Sequence, residues 1–339
     1  YAVHVVKLVL TSVIELRYNS VHHLQPNLPV YNFANFRKQA SYYLTSSRAM
    51  SQVRAKVRSK LRIKNSLTRN FLSEFIGTFL LVVIGNASVA VFVLSNGASG
   101  NAMTMALAWG LALMTALSVS GEASGAHLNP AVTLAFAAIG RCKWKQVPVY
   151  FLAQYFGAFV ASAVLFGVYH DAFAEFSEKN LISGSIFATF PQKFLGMPNA
   201  FADQVFGTAV LLVGICSITD RSNMKIYQSQ YPLYIGLLLT GILLTFGYNC
   251  GAALNPARDM GPRLFLVLAG WSASDVFMPD GKNFWWIPIL GTHIGAFVGV
   301  FIYSVFIGLH LERDELESGV MPLKEMEIST ISSQRHQPQ

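Results

Sequence analysis

Long apolar segments alternate with short polar connections between about residue 71 and residue 309. A helix needs roughly 20 apolar residues to cross the ~30 Å hydrocarbon layer of a membrane. Lipid offers backbone groups no hydrogen bonds, so apolar segments that cross it must be helical. We therefore predict six membrane-spanning helices, over residues 71–94, 102–119, 147–169, 201–219, 231–248 and 284–309.

Two further apolar segments, 129–139 and 255–268, are too short to cross a membrane. Both begin with the same tripeptide, formed by Asn129, Pro130 and Ala131 in one segment and by Asn255, Pro256 and Ala257 in the other. Asparagine is a favoured N-cap, and proline suits the first helical position because its missing N–H would have no partner there. We interpret both segments as half-spanning re-entrant helices, since two ordinary capped helices would not explain their shortness.

The two halves of the chain repeat one another, over about 71–170 and 201–309. Residues 74–78 (Glu-Phe-Ile-Gly-Thr) correspond to 204–208 (Gln-Val-Phe-Gly-Thr), and Gly-Ala-Phe recurs at 157–159 and 295–297. Each half holds an odd number of spans, so the second half enters the membrane from the opposite side. The predicted fold is therefore an all-α membrane protein with an inverted repeat. Its half-helices meet near the bilayer centre, where Asn129 and Asn255 face one another across a passage.

Composition agrees with a membrane protein, because 12% of the residues are charged and 53% are apolar, whereas soluble domains have about 25% charged residues. The three cysteines lie in or beside apolar segments, with no disulfide framework and no metal-ligand spacing. The sequence offers no nucleophile–base pair and no phosphate-binding loop. We therefore expect a protein that is not an enzyme and has no cofactor.

The net charge of +8 is unevenly placed, with seven Lys or Arg and no acid between residues 50 and 70. This run precedes the first span and indicates a cytoplasmic segment that contacts anionic lipid. Nucleic-acid binding is not expected, because no motif supports it. We divide the chain into a basic, disordered cytoplasmic region (1–70), a channel domain (71–311) and a disordered cytoplasmic tail (312–339). Met50 is the expected first residue of the working protein, and a genuine tail before it is the alternative.

The paired motifs resemble those of the aquaporin, or major intrinsic protein, family and its aquaglyceroporin branch. The resemblance rests on residues 74–78, 124–132 (Ser-Gly-Ala-His-Leu-Asn-Pro-Ala-Val) and 254–259 (Leu-Asn-Pro-Ala-Arg-Asp), and it extends over about 72–311. It implies one pore in each protomer of a homotetramer in the plasma membrane. Glycerol and water are the implied permeants, and urea is a further candidate.

The resemblance also implies a selectivity filter formed by Trp109, Leu243, Ala252 and Arg258. Asp259, directly after the filter arginine, is typical of glycerol-conducting members. Two positions depart from their usual pattern, because Leu243 replaces a glycine and Ala252 replaces an aromatic residue. Two alternatives stay open: Arg258 as a structural ion-pair partner of Asp259, and Trp109 as a bilayer-facing aromatic.

Two other residues are expected to support the pore. Glu74 is expected to accept hydrogen bonds from the first re-entrant loop, as buried membrane acids usually have partners. His127 is expected to hold that loop as a neutral side chain, and narrowing of the pore by its protonation is the alternative. Rival functions are a strictly water-selective pore, a weakly conducting junction protein and an ion-coupled transporter, which would need mid-membrane carboxylates.

Overall fold

The computed structural model describes residues 50–176 and 179–312, and every regular element in these ranges is helical. From residue 66 onward its α-helices are α1 (Ser66–Leu94), α2 (Ala102–Ser124), α3 (Pro130–Ala138), α4 (Val147–Val168), α5 (His170–Phe176), α6 (Leu181–Gly184), α7 (Met197–Thr219), α8 (Tyr231–Phe246), α9 (Pro256–Leu268), α10 (Ala273–Phe277) and α11 (Ile287–Phe306). Among these, α1, α2, α4, α7, α8 and α11, some lengthened by a 3-10 turn, are long and apolar enough to cross a membrane. The six predicted spans and the two short helices, α3 and α9, are confirmed.

The helix bounds differ from the predicted ones by a few residues, because caps rather than hydrophobicity end a helix. α1 begins five residues before the predicted residue 71, since the Asn65 side chain accepts hydrogen bonds from the backbone N–H groups of Leu67 and Thr68. α2 continues past the predicted residue 119 to Ser124, and it ends where Gly125 takes a left-handed conformation with φ 87°. Glycine adopts that conformation at little cost.

A separate helix covers residues 50–61, inside the stretch for which the sequence predicts disorder. This helix lies in a different compact unit from the channel helices, whose unit begins at Lys64. Residues 1–49 and 313–339 lie outside the described residues. The predictions of a segment before Met50 and of a disordered tail concern these residues.

The spanning helices pack in two matching sets. In the first half α1 packs against α2 and α4, and in the second half α7 packs against α8 and α11. The two sets join where α2 packs against α8. Each contact in one half has its counterpart in the other, as the inverted repeat predicts.

The half-helices cross between the two sets. α3 belongs to the first half but packs most extensively against α11, and α9 belongs to the second half but packs most extensively against α4. This exchange ties the halves together and brings the N-termini of α3 and α9 towards each other.

Glycines allow the close helix contacts within each set. A Cβ atom at Gly157 would lie 2.6 Å from the carbonyl oxygen of Phe75, and one at Gly295 would lie 2.3 Å from that of Val205. Both distances are shorter than real Cβ contacts, so a side chain at either position would require the packed helices to shift. Small residues at helix contacts are typical of membrane proteins, and the matched pair is the one that the sequence repeat predicts.

Candidate functional site

Asn129 and Asn255 cap the two half-helices in the same way. Asn129 Oδ1 accepts from the backbone N–H of Ala131 at 2.9 Å. Asn255 Oδ1 accepts from Ala257 N at 3.0 Å and from Arg258 N at 3.3 Å. Pro130 and Pro256, which directly follow the two asparagines, are buried and occupy the first helical position. Proline there lacks only an N–H that would have no helical partner.

The same two asparagines also join the halves. Asn129 Nδ2 donates to the carbonyl oxygen of Leu254 at 2.9 Å, and Asn255 Nδ2 donates to that of Leu128 at 2.7 Å. A side-chain amide has two N–H donors, so each asparagine retains a second one. Both side chains line a central cavity. Their orientation is fixed because the amide oxygen and the amide nitrogen of each make a hydrogen bond.

The loops that lead into the half-helices share an unusual backbone. Ala126 and Leu128 have φ values of 50° and 54°, and Ala252 and Leu254, each 126 positions later, have 42° and 54°. Left-handed conformations are uncommon for residues other than glycine, and they cluster at functional sites where the surrounding structure enforces them. The two loops therefore carry the same strain at matched positions, and all four residues line the cavity.

The cavity has a volume of about 540 Å³ and is lined by residues of both halves. Its lining includes residues of α2 from Trp109 to Glu122, which corresponds to about 20 Å along a helix axis. Trp109 and Arg258 are part of the wall, whereas Gln228 and Ser229 are polar lining residues just before α8. The shape is that of an elongated passage rather than a compact pocket.

All four predicted filter residues, Trp109, Leu243, Ala252 and Arg258, line this cavity. The Arg258 guanidinium carbon lies 4.3 Å from the centroid of a Trp109 ring, the distance of a close cation–π contact. Trp109 is 7% exposed, and its ring packs directly against Gly85 of α1. The alternative of a bilayer-facing Trp109 is therefore wrong.

The Arg258 guanidinium is held by a backbone carbonyl of a distant loop. Arg258 Nη1 donates to the carbonyl oxygen of Phe187 at 2.8 Å, and Phe187 is fully buried. No sequence motif indicates this partner, because any residue type supplies a carbonyl oxygen. The guanidinium has five N–H donors, so this bond fixes its position and leaves other donors for the passage.

Asp259 pairs with Arg263 rather than with Arg258. Arg263 Nε lies 2.6 Å from Asp259 Oδ2, and both side chains are fully buried. Asp259 Oδ1 also accepts from the Thr189 backbone N–H at 2.9 Å and from the Thr189 hydroxyl at 2.6 Å. The carboxylate thus anchors the loop that carries Phe187, and the alternative of an Arg258–Asp259 ion pair is not the arrangement present.

Arg263 supports the site from behind the cavity wall and is not among the residues predicted from the sequence. Its guanidinium donates to the backbone carbonyls of Thr189 and Val276, besides pairing with Asp259. A signal was present in the sequence, since Asp259 and Arg263 are four residues apart on one helix and such residues are neighbours.

Glu74 and Gln204 hold the two re-entrant loops from equivalent positions. Glu74 accepts hydrogen bonds from the backbone N–H groups of His127 at 2.9 Å and Leu128 at 2.7 Å. Gln204 Oε1 accepts from the Leu254 N–H at 3.3 Å. Both side chains are fully buried. The neutral side chain in one half serves the same position as the acid in the other, which favours a structural part for both.

His127 lines the cavity and has partners on several sides. Its Nδ1 lies 3.2 Å from Thr133 Oγ1, and its ring meets the rings of Phe136 and Tyr150 edge-on at 5.3 and 5.0 Å between centroids. The Thr133 hydroxyl also accepts from Gln154 Nε2 at 3.0 Å. These contacts agree with a hydrogen-bonded histidine that holds the loop.

Comparison with known proteins places this architecture in a family. Residues 61–303 match the sequence model of the family described as major intrinsic protein. Aquaporin-9 of Homo sapiens is 44% identical over 244 residues, which are 70% of this chain and 82% of that protein. Aquaporin-10 of Milnesium tardigradum is 42% identical over 265 residues, which are 72% of this chain and 65% of that protein.

A solved structure has the same fold. The X-ray structure of the aquaglyceroporin from Plasmodium falciparum superposes with a TM-score of 0.65 and 33% identity, over 72% of this chain and 98% of that one. Family membership explains the paired half-helices and the lined cavity, and it identifies an integral membrane channel rather than an enzyme. The chain belongs to the major intrinsic protein family, the family of the aquaporins.

Proposed function

We propose that this protein is a passive channel for glycerol and other small neutral solutes, with water, and that it excludes ions and protons. The observation that carries the proposal is the pairing of Arg258 with Trp109 on the wall of the cavity. An indole is a flat apolar surface, and a guanidinium is a cluster of donors. A polyol has a carbon backbone on one side and hydroxyls on the other, so this pair matches both of its faces.

Passage requires that hydrogen bonds lost from water be replaced inside the protein. An unsatisfied hydroxyl transferred to an apolar environment costs about 2–7 kcal/mol. In the filter, Arg258 N–H groups can donate the replacement hydrogen bonds to the solute. At the centre, the second N–H of Asn129 and that of Asn255 can donate in the same way. Leu243 and Ala252 complete the filter wall with apolar surface. The carbon backbone of a polyol can lie against this surface because its carbon atoms have no hydrogen bonds to water to replace.

Ion exclusion is proposed from the charges that surround the passage. A helix N-terminus carries about half a positive charge, and α3 and α9 direct theirs towards each other at the asparagines. Arg258 adds a full positive charge at the filter. A cation would have to leave its water shell and then meet these charges, so it is repelled as well as desolvated.

The wider arrangement is part of the proposal. Basic residues precede the first span and occupy the connection between α3 and α4 (Arg141, Lys143 and Lys145), which favours a cytoplasmic location of both termini. We also propose a homotetramer in the plasma membrane, with urea as a further permeant.

The decisive experiment compares solutes in proteoliposomes. Reconstituted protein should increase both osmotic water flux, measured by stopped-flow light scattering, and uptake of radiolabelled glycerol, relative to protein-free vesicles. Water flux without glycerol uptake would identify a water-selective pore. Absence of both fluxes at normal incorporation would identify a structural protein of the same fold.

A further inference from the structure

The helix over residues 50–61 has a narrow apolar stripe. With 3.6 residues per turn, the stripe residues fall within an arc of about 80°. Its members are Met50, Val53, Val57 and Leu61, and their exposed fractions are 57%, 57%, 48% and 74%. Four exposed apolar side chains on one line of a helix are not explained by packing within the described part of this unit.

Basic residues border the stripe on both sides. At 100° per residue, Arg54 and Arg58 lie along one edge of the stripe, and Lys56 and Lys60 lie along the other. All four side chains are exposed. The opposite face is small and uncharged, and it consists of Ser51, Gln52, Ala55 and Ser59. The helix is therefore divided into an apolar line, two basic edges and a neutral back.

This arrangement matches the boundary between lipid headgroups and acyl chains. Arg and Lys side chains at the edges of an apolar face can extend their charged ends to the phosphates while their stems lie on the apolar surface. A basic helix that binds nucleic acid would leave the apolar stripe in water. A groove-type partner such as calmodulin binds through large apolar anchors, whereas two of the four stripe residues are valine.

Chain connectivity keeps the helix near a membrane. Four residues, 62–65, separate Leu61 from the first residue of α1, Ser66. Even a fully extended connection of this length reaches only about 17 Å. The connection and the start of α1 add Arg62, Lys64 and Arg69, and no acid lies between residues 50 and 70. Tethering at this distance makes even a weak affinity effective.

We propose that the helix over residues 50–61 lies along the cytoplasmic membrane surface, with its apolar stripe in the headgroup–acyl boundary and its basic edges on anionic phospholipids. The proposal rests on the cytoplasmic location of the N-terminus proposed above. It gives the protein a lipid-sensing segment outside the pore. Each basic side chain near an anionic surface favours the docked helix roughly fivefold.

The test uses the full-length protein in vesicles, with a fluorophore attached to one introduced cysteine. Val57→Cys places the label in the stripe, and Ser59→Cys places it on the neutral back of the same helix turn. The three native cysteines are buried, and burial raises the pKa of the Cys142 thiol, so labelling is directed to the introduced position. Lipids that carry a quencher in their acyl chains report the depth of each label.

In vesicles rich in phosphatidylserine, the label at residue 57 should be quenched and the label at residue 59 should not. Phosphatidylcholine alone, high salt, or substitution of Arg54, Lys56, Arg58 and Lys60 by Gln should abolish the difference. Equal quenching at both positions in every lipid would overturn the proposal, as would protection only on addition of calmodulin with Ca²⁺. Glycerol flux measured on the same vesicles separates this failure from a failure of the channel function.

Discussion

Leu243 occupies the predicted filter position at which the resemblance to glycerol channels leads us to expect glycine. The side chain lies on the cavity wall with Trp109 and Arg258. We predict that Leu243→Gly raises glycerol permeability, by about tenfold for each ~1.4 kcal/mol of unfavourable contact that it relieves. Stopped-flow measurement of glycerol-driven swelling checks this, with water permeability measured in parallel.

Leu244 provides the matched control for that substitution. It is the next residue of α8, is 48% exposed and does not line the cavity. Leu244→Gly introduces the same helix-weakening residue, which costs roughly 1 kcal/mol in a helix interior, without widening the filter. Equal glycerol permeabilities of the two variants would show that Leu243 does not limit passage.

Substitution of Thr189 tests whether the loop that carries Phe187 determines the position of the Arg258 guanidinium in the predicted filter. Its hydroxyl donates to the buried Asp259 carboxylate at 2.6 Å, and a hydrogen bond to a charged group contributes about 1.5–3 kcal/mol. We predict that Thr189→Val lowers thermal stability and changes the glycerol-to-water permeability ratio, because the carbonyl of Phe187 that holds Arg258 lies two residues away. Thr189→Ser, which keeps the hydroxyl, should restore both. A changed stability with an unchanged ratio would reduce Thr189 to a purely structural residue.

The site residues that can be predicted from the sequence belong to local motifs, whereas the others act through contacts between distant parts of the chain. Asn129, Asn255 and Arg258 belong to short local motifs, so their places on the cavity wall could be anticipated. Phe187 acts through a backbone carbonyl, and Thr189 meets Asp259 across 70 positions. Neither contact leaves a local pattern, so only the folded chain brings them to the site.

At the scale of helices, small residues determine how closely the spans approach. A Cβ atom at Gly295 of α11 would meet the carbonyl oxygen of Val205 at 2.3 Å, whereas a Cβ atom at Gly241 of α8 would meet nothing within 4 Å. We predict that Gly295→Ala destabilises the protein by about 1–3 kcal/mol through overpacking. Gly241→Ala should be neutral or stabilising, because alanine favours a helix by roughly 0.8–1.0 kcal/mol over glycine.

Thermal unfolding in detergent measures both glycine variants. The opposite signs matter, because helix propensity alone would make both substitutions favourable. If Gly295→Ala were as stable as the original protein, α7 and α11 would have to be able to separate without cost, contrary to their matched glycine contact.

Helix existence follows from the apolar pattern, whereas helix ends do not. The six spans are recoverable because each is long enough to cross lipid. The ends depend on single polar contacts, such as the Asn65 cap that starts α1 at Ser66. The helix over 50–61 is not predicted, for a related reason. A segment rich in basic residues resembles a disordered one by composition, although its apolar residues repeat at helical spacing.

At the scale of the whole molecule, the passage forms where each half packs its half-helix against the other half. Each half-helix packs against a span of the other half, and each asparagine donates to a carbonyl of the other loop. The odd number of spans in each half is sufficient to predict the inverted repeat. The exchange of partners between halves is not readable from one sequence, because it depends on how the halves dock.

Of the proposed properties, ion exclusion depends most on this meeting of halves. Two helix N-termini together supply about one positive charge at the centre, and one carboxylate there would offset it. Asn255→Asp introduces that charge and keeps the cap, because aspartate is as good an N-cap as asparagine and can still accept from Ala257 and Arg258. It gives up the hydrogen bond that Asn255 Nδ2 donates to the Leu128 carbonyl oxygen, so incorporation and water flux are measured on the same vesicles. We predict that this variant conducts K⁺, measured as a potassium flux in proteoliposomes under a set membrane potential.

Asn101→Asp is the control for that experiment, because Asn101 caps α2 from an exposed position away from the cavity lining. It makes the same chemical change at another helix N-terminus, so it should leave both K⁺ exclusion and glycerol flux unaltered. If Asn255→Asp also excluded K⁺ at normal incorporation and normal water flux, the half-helix charges would not be the barrier. The proposed exclusion would then have to arise at Arg258, whose positively charged guanidinium lies against Trp109 on the cavity wall.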